Sequence, residues 1–177
     1  MAESPPPQRF IFKFIILGDY AVGKTCVIRR YVSDTFDEEY KASIGVDITS
    51  QQLFFDPHQV QLQIWDMSGQ TDFRELRRQF MNGSDCGIIV FDVTRHSSLE
   101  NISRWINEAR ANVPGLQFAL VGNKIDLVDE RVVKHEEAKQ VAKENQMLFY
   151  IETSAKSGSN IQLLFKKLAQ LILERMK

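Results

Sequence analysis

Short apolar runs alternate with amphipathic stretches along most of this chain. Residues 10–17, 86–93 and 116–123 are apolar runs typical of buried strands. Residues 46–55 and 60–67 flank the turn-like segment "DPHQ", and the strict alternation in "VQLQIW" predicts a hairpin. Residues 147–153 complete the set, so the pattern predicts six strands.

Helical periodicity occupies most of the intervals between these strands. Helices are predicted from Lys24 to about residue 32, within 68–84, and at 98–113, 134–146 and 160–176. Residues 34–45 lack periodicity and indicate an exposed loop. Alternating strands and helices predict a three-layer, doubly wound α/β fold. Its six-stranded sheet should be mainly parallel, with one antiparallel edge strand and about five helices.

The length of 177 residues favours one domain, at 9–177, after a polar, proline-rich lead-in at 1–8 that we expect to be disordered. The net charge of −1 gives no reason to expect binding to nucleic acid or to an anionic membrane surface. Only two cysteines occur, which fits a reducing cytoplasm, and no apolar stretch approaches membrane-spanning length.

Candidate functional residues follow the ends of the predicted strands. The pattern G-x-x-x-x-G-K-S/T is met by Gly18, Gly23, Lys24 and Thr25, between a strand and a helix. Glycines let backbone N–H groups wrap phosphates, the lysine reaches the β- and γ-phosphates, and the threonine hydroxyl binds Mg²⁺. The alternative is a plain glycine turn between a strand and a helix.

The segment "NKID" bears on which nucleotide the loop would hold. The carboxylate of Asp126 can accept two hydrogen bonds from guanine, which adenine cannot offer. An isolated tetrapeptide of this kind is usually a solvated turn. Its position after a buried strand, downstream of a phosphate loop, favours guanine recognition.

Five motifs, "GDYAVGKT", "ASIG", "WDMSGQ", "NKID" and "TSAK", occur in this order. From about Arg9 to the end, the chain resembles the small GTPases of the Ras superfamily, most closely the Rab branch. The resemblance implies the P-loop GTPase (G domain) fold and a GTP/GDP-controlled molecular switch that hydrolyses GTP with Mg²⁺. It also implies recruitment of effectors through switch I, the loop at 34–45, and switch II, at 68–84, and a role in membrane trafficking.

The same resemblance assigns roles to residues. Gln70 would orient the attacking water, Gly69 would donate its N–H to the γ-phosphate, and Lys24 completes the catalytic set. Mg²⁺ would be bound by Thr25, by Ser43 and, through water, by Asp66. The implied nucleotide-binding residues are Asp19, Tyr20, Ala21, Val22, Gly23, Lys24, Thr25, Cys26, Phe36, Ser43, Gly69, Asn123, Lys124, Asp126, Ser154, Ala155 and Lys156.

Partners are implied in the same way. Effectors, exchange factors and GTPase-activating proteins would bind a surface that includes Ile48, Trp65 and Phe80. We expect a cytoplasmic monomer that reaches a membrane only through a C-terminal lipid anchor, and this chain has no cysteine near its end.

Several residues depart from the family pattern. Tyr20 replaces a small residue, Ser43 replaces threonine, Ser68 adds a hydroxyl near the γ-phosphate, and Ile48 replaces a phenylalanine. Tyr20 should lie at the rim of the γ-phosphate pocket, where its ring would either crowd Gln70 and slow turnover or lie over the nucleotide and shield it. No arginine lies in switch I, so intrinsic hydrolysis should be slow.

Two other functions remain open, a pseudo-GTPase acting as a nucleotide-dependent binding module and, less favoured, a P-loop kinase or ATPase. Three further predictions concern the scaffold. The cluster "RELRR" is interpreted as a solvated helix face, Trp105 as a core residue, and His58, His96 and His135 as solvated histidines.

Overall fold

A six-stranded sheet forms the centre of the computed structural model, which describes residues 6–39 and 43–176. The strands are β1 (Arg9–Leu17), β2 (Val46–Phe55), β3 (His58–Met67), β4 (Cys86–Asp92), β5 (Phe118–Asn123) and β6 (Tyr150–Glu152). Their order in the sheet is β2-β3-β1-β4-β5-β6. Only the β2–β3 pair is antiparallel among these described strands, which confirms the predicted sheet.

Helices connect the strands and cover both faces of the sheet. They are α1 (Lys24–Ser33), α2 (Arg74–Met81), α3 (His96–Glu100), α4 (Ile102–Asn112), α5 (His135–Glu144) and α6 (Ile161–Arg175). Short 3₁₀ turns occur at Thr71–Phe73 and Val128–Glu130. The single residue Asn101 separates α3 from α4, so the described helices form five helical units, as predicted. Across residues 6–39 and 43–176, none of the helices has the length and apolar character needed to span a bilayer.

Two hydrophobic clusters lie on opposite faces of the sheet. One contains side chains of α1 and α6, and the other contains side chains of α2, α3, α4 and α5. Every residue of β4 and β5 is buried, because helices cover both faces of these central parallel strands. This arrangement confirms the three-layer α/β fold.

Two of the scaffold predictions are wrong for individual side chains. His58 is only 3% exposed, because it begins β3 and packs edge-on against the ring of Phe10. Arg77 is fully buried, although "RELRR" suggested a solvated face, because Glu108 of α4 pairs with it. Trp105 is buried as predicted, and His96 and His135 are exposed as predicted.

The parallel strands place their carboxyl ends at one edge of the sheet. β1 leads into Gly18, β3 into Ser68, β5 ends at Asn123, and β6 leads into Thr153. Such an edge is where ligands bind in open α/β sheets. Four of the five motifs therefore come together at one edge from distant parts of the sequence, and Gly45 of the fifth accepts a hydrogen bond from the N–H of Ser68 there.

Candidate functional site

The loop between β1 and α1 curves around the amine of Lys24. Its Nζ donates to the carbonyl oxygens of Gly18, at 2.9 Å, and Asp19, at 2.8 Å. The backbone at Gly23 has φ of 100°, a left-handed conformation that glycine adopts without strain. Burial lowers the pKa of Lys24 to about 8, although the charges of Asp66 and Asp19 oppose this shift. A buried cation therefore lies at the centre of the loop.

The three residues assigned to Mg²⁺ meet beside this lysine. Thr25 Oγ1 donates to Asp66 Oδ2 at 2.5 Å and lies 2.5 Å from Ser43 Oγ. Burial raises the pKa of Asp66, and the hydrogen bond from Thr25 and the charge of Lys24 oppose the rise. Within the described residues, Asp66 Oδ1 is buried and has no hydrogen-bond partner. Two hydroxyls and a carboxylate with an unsatisfied oxygen fit Mg²⁺ and its bound water.

The start of switch II packs directly against the phosphate loop. A Cβ on Gly69 would lie 2.6 Å from backbone atoms of Asp19 and Tyr20, so only glycine fits this close approach. The hydroxyl of Ser68 donates to the carbonyl of Ser43 at 3.0 Å and accepts the N–H of Gln70 at 3.3 Å. Ser68 thus connects switch I with the loop that carries Gln70, a contact that the sequence did not indicate.

These residues surround a recess of about 40 Å³, the phosphate recess. The predicted site residues that line it are Tyr20, Ala21, Gly23, Lys24, Thr25, Cys26, Ser43 and Gly69. The side chain of Tyr20 is partly exposed (44%). Arg95 donates from Nη2 to the Tyr20 carbonyl at 2.6 Å, and Arg29 of α1 also lines the recess. Arg29 and Arg95 lie outside switch I, and no sequence motif marks either as part of the site.

A larger cleft of about 410 Å³, the base cleft, adjoins the recess. The predicted residues that line it are Ala21, Gly23, Cys26, Phe36, Asn123, Lys124, Asp126, Ala155 and Lys156. The two cavities share Ala21, Gly23, Cys26 and Asp37. Three predicted nucleotide contacts, Asp19, Val22 and Ser154, line neither cavity, and the side chain of Val22 is fully buried in the core.

Hydrogen bonds among the predicted residues fix the walls of the base cleft. Asn123 Nδ2 donates to Val22 O at 3.0 Å, and Asn123 Oδ1 accepts from Thr153 Oγ1 at 3.1 Å and from Ala155 N at 3.3 Å. Asn123 therefore joins the phosphate loop to the "TSAK" segment. Ser154 Oγ donates to Asp126 Oδ1 at 2.7 Å, which leaves the other carboxylate oxygen for a ligand.

Lys124 and Arg30 connect the cleft to the rest of the fold. Lys124 Nζ donates to Ala21 O at 2.9 Å and pairs with Asp92 at 2.7 Å. Arg30 of α1 donates to the carbonyls of Ala155, at 2.7 Å, and Lys156, at 2.6 Å. Sequence reasoning did not single out Arg30, because an arginine on a helix carries no signal of a contact more than a hundred residues away.

A buried arginine lies behind the phosphate recess. Arg77 of α2 makes a bidentate pair with Glu108 of α4, with distances of 2.8 and 3.2 Å. Its Nη1 also donates to the carbonyls of Ser68, at 2.8 Å, and Gln70, at 2.5 Å. Arg77 therefore positions the loop of the predicted catalytic glutamine against α4.

Asp19 of the phosphate loop is connected to the same region. Its Oδ1 accepts from Trp105 Nε1 and its Oδ2 from Asn101 Nδ2, both at 2.7 Å. The guanidinium of Arg77 lies 5.0 Å from the centre of the Trp105 ring, within the range of a cation–π contact. The phosphate loop and switch II are thus both connected to one helical segment.

The residues implied in partner binding form a surface on the outer strands. Ile48 is 52% exposed and lies opposite Trp65 in the β2–β3 register. The rings of Trp65 and Phe80 are 5.7 Å apart, and Lys13 Nζ lies 3.9 Å from the centre of the Trp65 ring. An apolar patch beside both switches results, of the kind that binds proteins.

A comparison with models of protein families agrees with this site. A family model described as the Ras family matches residues 13–174, nearly the whole chain. The match spans the phosphate loop, both switch segments and the segments "NKID" and "TSAK". This chain therefore belongs to the Ras family of small GTPases, proteins that bind GTP and GDP with Mg²⁺.

Proposed function

We propose that this chain is a Rab-like molecular switch that binds GTP with Mg²⁺, hydrolyses it slowly to GDP and phosphate, and recruits effectors in the GTP state. One observation carries the proposal. The phosphate recess and the base cleft adjoin through shared residues, and together they contain nearly every predicted nucleotide contact. A phosphate-binding recess beside a cleft with a free carboxylate oxygen on Asp126 suits a guanine nucleotide.

The residues of the recess supply positioning and charge neutralisation, which phosphoryl transfer chiefly requires. Lys24 neutralises phosphate oxygens, and Thr25, Ser43 and Asp66 would hold Mg²⁺, which adds positive charge there. Gln70 would orient the attacking water, with its backbone fixed through Arg77. Slow intrinsic hydrolysis follows if neither Arg29 nor Arg95 reaches the transferred phosphoryl group and a partner protein supplies the missing charge.

Switching would follow from the contacts between the two loops. Ser43 and Gln70 lie on either side of Ser68, so loss of the γ-phosphate would release both segments together. Effectors, exchange factors and activating proteins would recognise the change beside the Ile48, Trp65 and Phe80 surface. We infer a cytoplasmic monomer that acts in membrane trafficking.

A second candidate is a nucleotide-dependent binding module with little or no hydrolysis. The specific observation in its favour is Tyr20, whose ring lies at the rim of the phosphate recess. A ring there can crowd Gln70 and exclude an arginine supplied by a partner, which would prolong the GTP state. Ser43 in place of threonine adds to this, because serine has no methyl group to restrict χ1 and close switch I firmly.

Single-turnover release of phosphate from the GTP-loaded protein separates the two candidates. The wild type should release phosphate slowly, Gln70→Leu should release still less, and Tyr20→Gly should release more. Equal rates for the wild type and Gln70→Leu would favour the binding module. Nucleotide released by denaturing the purified protein should be GTP or GDP, and recovery of adenine nucleotides would contradict both candidates.

A further inference from the structure

The cavity between α2 and α4 has a different character from the nucleotide site. It is a groove of about 640 Å³ that opens to solvent, and we name it the α2–α4 groove. Its floor is the buried pair Arg77–Glu108, and its walls carry Arg74 and Arg78 on α2 and Arg104 on α4. The other lining side chains are uncharged. Since Glu108 is neutralised by Arg77, the groove presents an excess of positive charge.

The arginines on the two walls differ in whether a carboxylate pairs with them. Arg78 pairs with Glu75 at 3.2 Å and lies 3.5 Å from the side-chain oxygen of Asn112. Arg74 and Arg104 are exposed, and no carboxylate in residues 6–39 and 43–176 pairs with either. Arg104 instead lies over the ring of Trp105, at 5.0 Å from its centre. Two solvated guanidinium groups therefore face the groove from opposite helices.

We propose that the α2–α4 groove binds an acidic, carboxylate-bearing segment of a partner protein. Guanidinium groups pair with carboxylates in a bidentate geometry, and Arg74 and Arg104 offer this pairing from separate walls. Charges on two walls suit a segment with several spaced carboxylates better than a single phosphate group. The net charge of the chain is −1, so an extended anionic surface such as a membrane meets no general attraction.

The floor of the groove makes the site dependent on the nucleotide state. Arg77 contacts the groove on one side and donates to the carbonyls of Ser68 and Gln70 on the other. Movement of that loop must break or rearrange these bonds, and α2 forms one wall. In the structure that contains this groove, Ser68 connects the two switch segments. We expect the acidic partner segment to bind this connected arrangement more tightly than one in which the switch segments have separated. This dependence rests on the proposed function, whereas the charge of the groove does not.

A fluorescent helical peptide with six glutamates, compared with the same peptide carrying glutamines, tests the proposal. Binding is measured by fluorescence anisotropy to the full chain loaded with a hydrolysis-resistant GTP analogue or with GDP. The double variant Arg74→Gln/Arg104→Gln should bind the glutamate peptide about fivefold to tenfold more weakly than the wild type. The control variant Lys166→Gln/Arg175→Gln removes two exposed charges from α6, on the opposite face of the sheet, and should bind as the wild type does.

Four results would overturn the inference. These are no binding of the glutamate peptide, equal binding of the glutamine peptide, an equal loss in the α6 control, and binding of anionic vesicles through Arg74 and Arg104 instead of the peptide. Equal affinity in the two nucleotide states would refute the coupling through Arg77. A fluorescent guanine nucleotide titrated into the same variants shows separately whether the proposed function fails.

Discussion

The base cleft and the phosphate recess share Ala21, Gly23, Cys26 and Asp37, yet different contacts fix their walls. The base cleft depends on short loops that follow β5 and β6, where Asn123 bonds three neighbouring backbone and side-chain groups. The phosphate recess depends on Arg77 of α2, on Asn101 and on Trp105 of α4, and none of the three lines it. The residues predicted to contact guanine are thus bonded directly to one another, whereas the position of Gln70 depends on side chains that lie outside the recess.

An arginine–glutamate pair also supports each of the two cavities, the phosphate recess and the base cleft. Arg77–Glu108 is nearly fully buried, with exposed side-chain fractions of 1% and 5%, and contacts the loop that carries Gln70. Arg131–Glu152 is partly exposed, at 25% and 16%, and supports the strand that leads into "TSAK". A buried pair costs much when one partner is lost, whereas a partly exposed pair is screened by solvent. Loss of one partner should therefore destabilise the protein more at Arg77–Glu108, beside the phosphate recess, than at Arg131–Glu152, beside the base cleft.

The largest expected effect comes from Arg77→Met, which leaves Glu108 buried without a partner. The free energy of unfolding should fall by about 3–5 kcal/mol, measured by urea denaturation. The double variant Arg77→Met/Glu108→Leu removes both charges and should recover most of this loss. If the double variant also recovers GTP hydrolysis, Arg77 has only a structural function and does not position Gln70.

Asp126→Asn changes the base cleft and should weaken nucleotide binding with little effect on the free energy of unfolding. It replaces the carboxylate predicted to accept hydrogen bonds from guanine by an amide that donates from one side, and the affinity for GDP should fall about a hundredfold. The free energy of unfolding should change by less than about 0.5 kcal/mol, since Asp126 is exposed. Asp129→Asn, an equal change of charge in the nearby 3₁₀ turn, is the control and should leave the affinity unchanged. A similar loss in both variants would attribute the effect to net charge.

Trp105→Phe tests the connection between the phosphate loop and α4. The variant keeps an aromatic ring in the core but removes the N–H that Asp19 Oδ1 accepts. The free energy of unfolding should fall by about 1–3 kcal/mol, and nucleotide dissociation should accelerate. Asn112→Ala on the same helix removes a bond to Glu108 O that does not involve Asp19, and it should leave dissociation unchanged. Equal dissociation rates for Trp105→Phe and the wild type would confine the effect of this bond to folding.

Glu152→Gln should have the smallest effect, and the effect depends on pH. Burial by itself would raise the pKa of Glu152, but hydrogen bonds from Arg131, Tyr150 and His135 outweigh it and lower the pKa below its usual value of 4.5. The stabilisation is therefore present above pH 4.5 and is lost as the pH falls through the folded-state pKa. At pH 7 the variant should unfold with about 1 kcal/mol less free energy than the wild type. This difference should vanish in stronger acid, and a difference independent of pH would contradict the assignment.

The fold was largely predictable from the sequence because its signals are local. Buried runs such as those of β4 and β5 reveal a parallel sheet, and a single alternating stretch reveals the antiparallel edge. The recognisable motifs of the site follow the ends of strands, so knowledge of the sheet brings them together. The division between α3 and α4 at Asn101 was not predicted, because one irregular residue hardly alters helical periodicity.

The supporting contacts of the site were not predictable in the same way. Arg77 belongs to a run of charges that reads as solvated, and only the position of α4 reveals Glu108 as its partner. Trp105 fits an apolar stripe, which gives no sign that its N–H reaches Asp19. Part of switch I, residues 40–42, lies outside the described residues, so the structure adds nothing to the prediction there.

Above all, we propose that the phosphate recess and the base cleft together form one site for a guanine nucleotide. Titration of hydrolysis-resistant GTP and ATP analogues into nucleotide-stripped protein, with Mg²⁺ present, tests it most directly. We expect the guanine analogue to bind about a thousandfold more tightly or better than the adenine analogue, and Asp126→Asn to remove most of this preference. Similar affinities for the two analogues, or a guanine preference that survives Asp126→Asn, would contradict it.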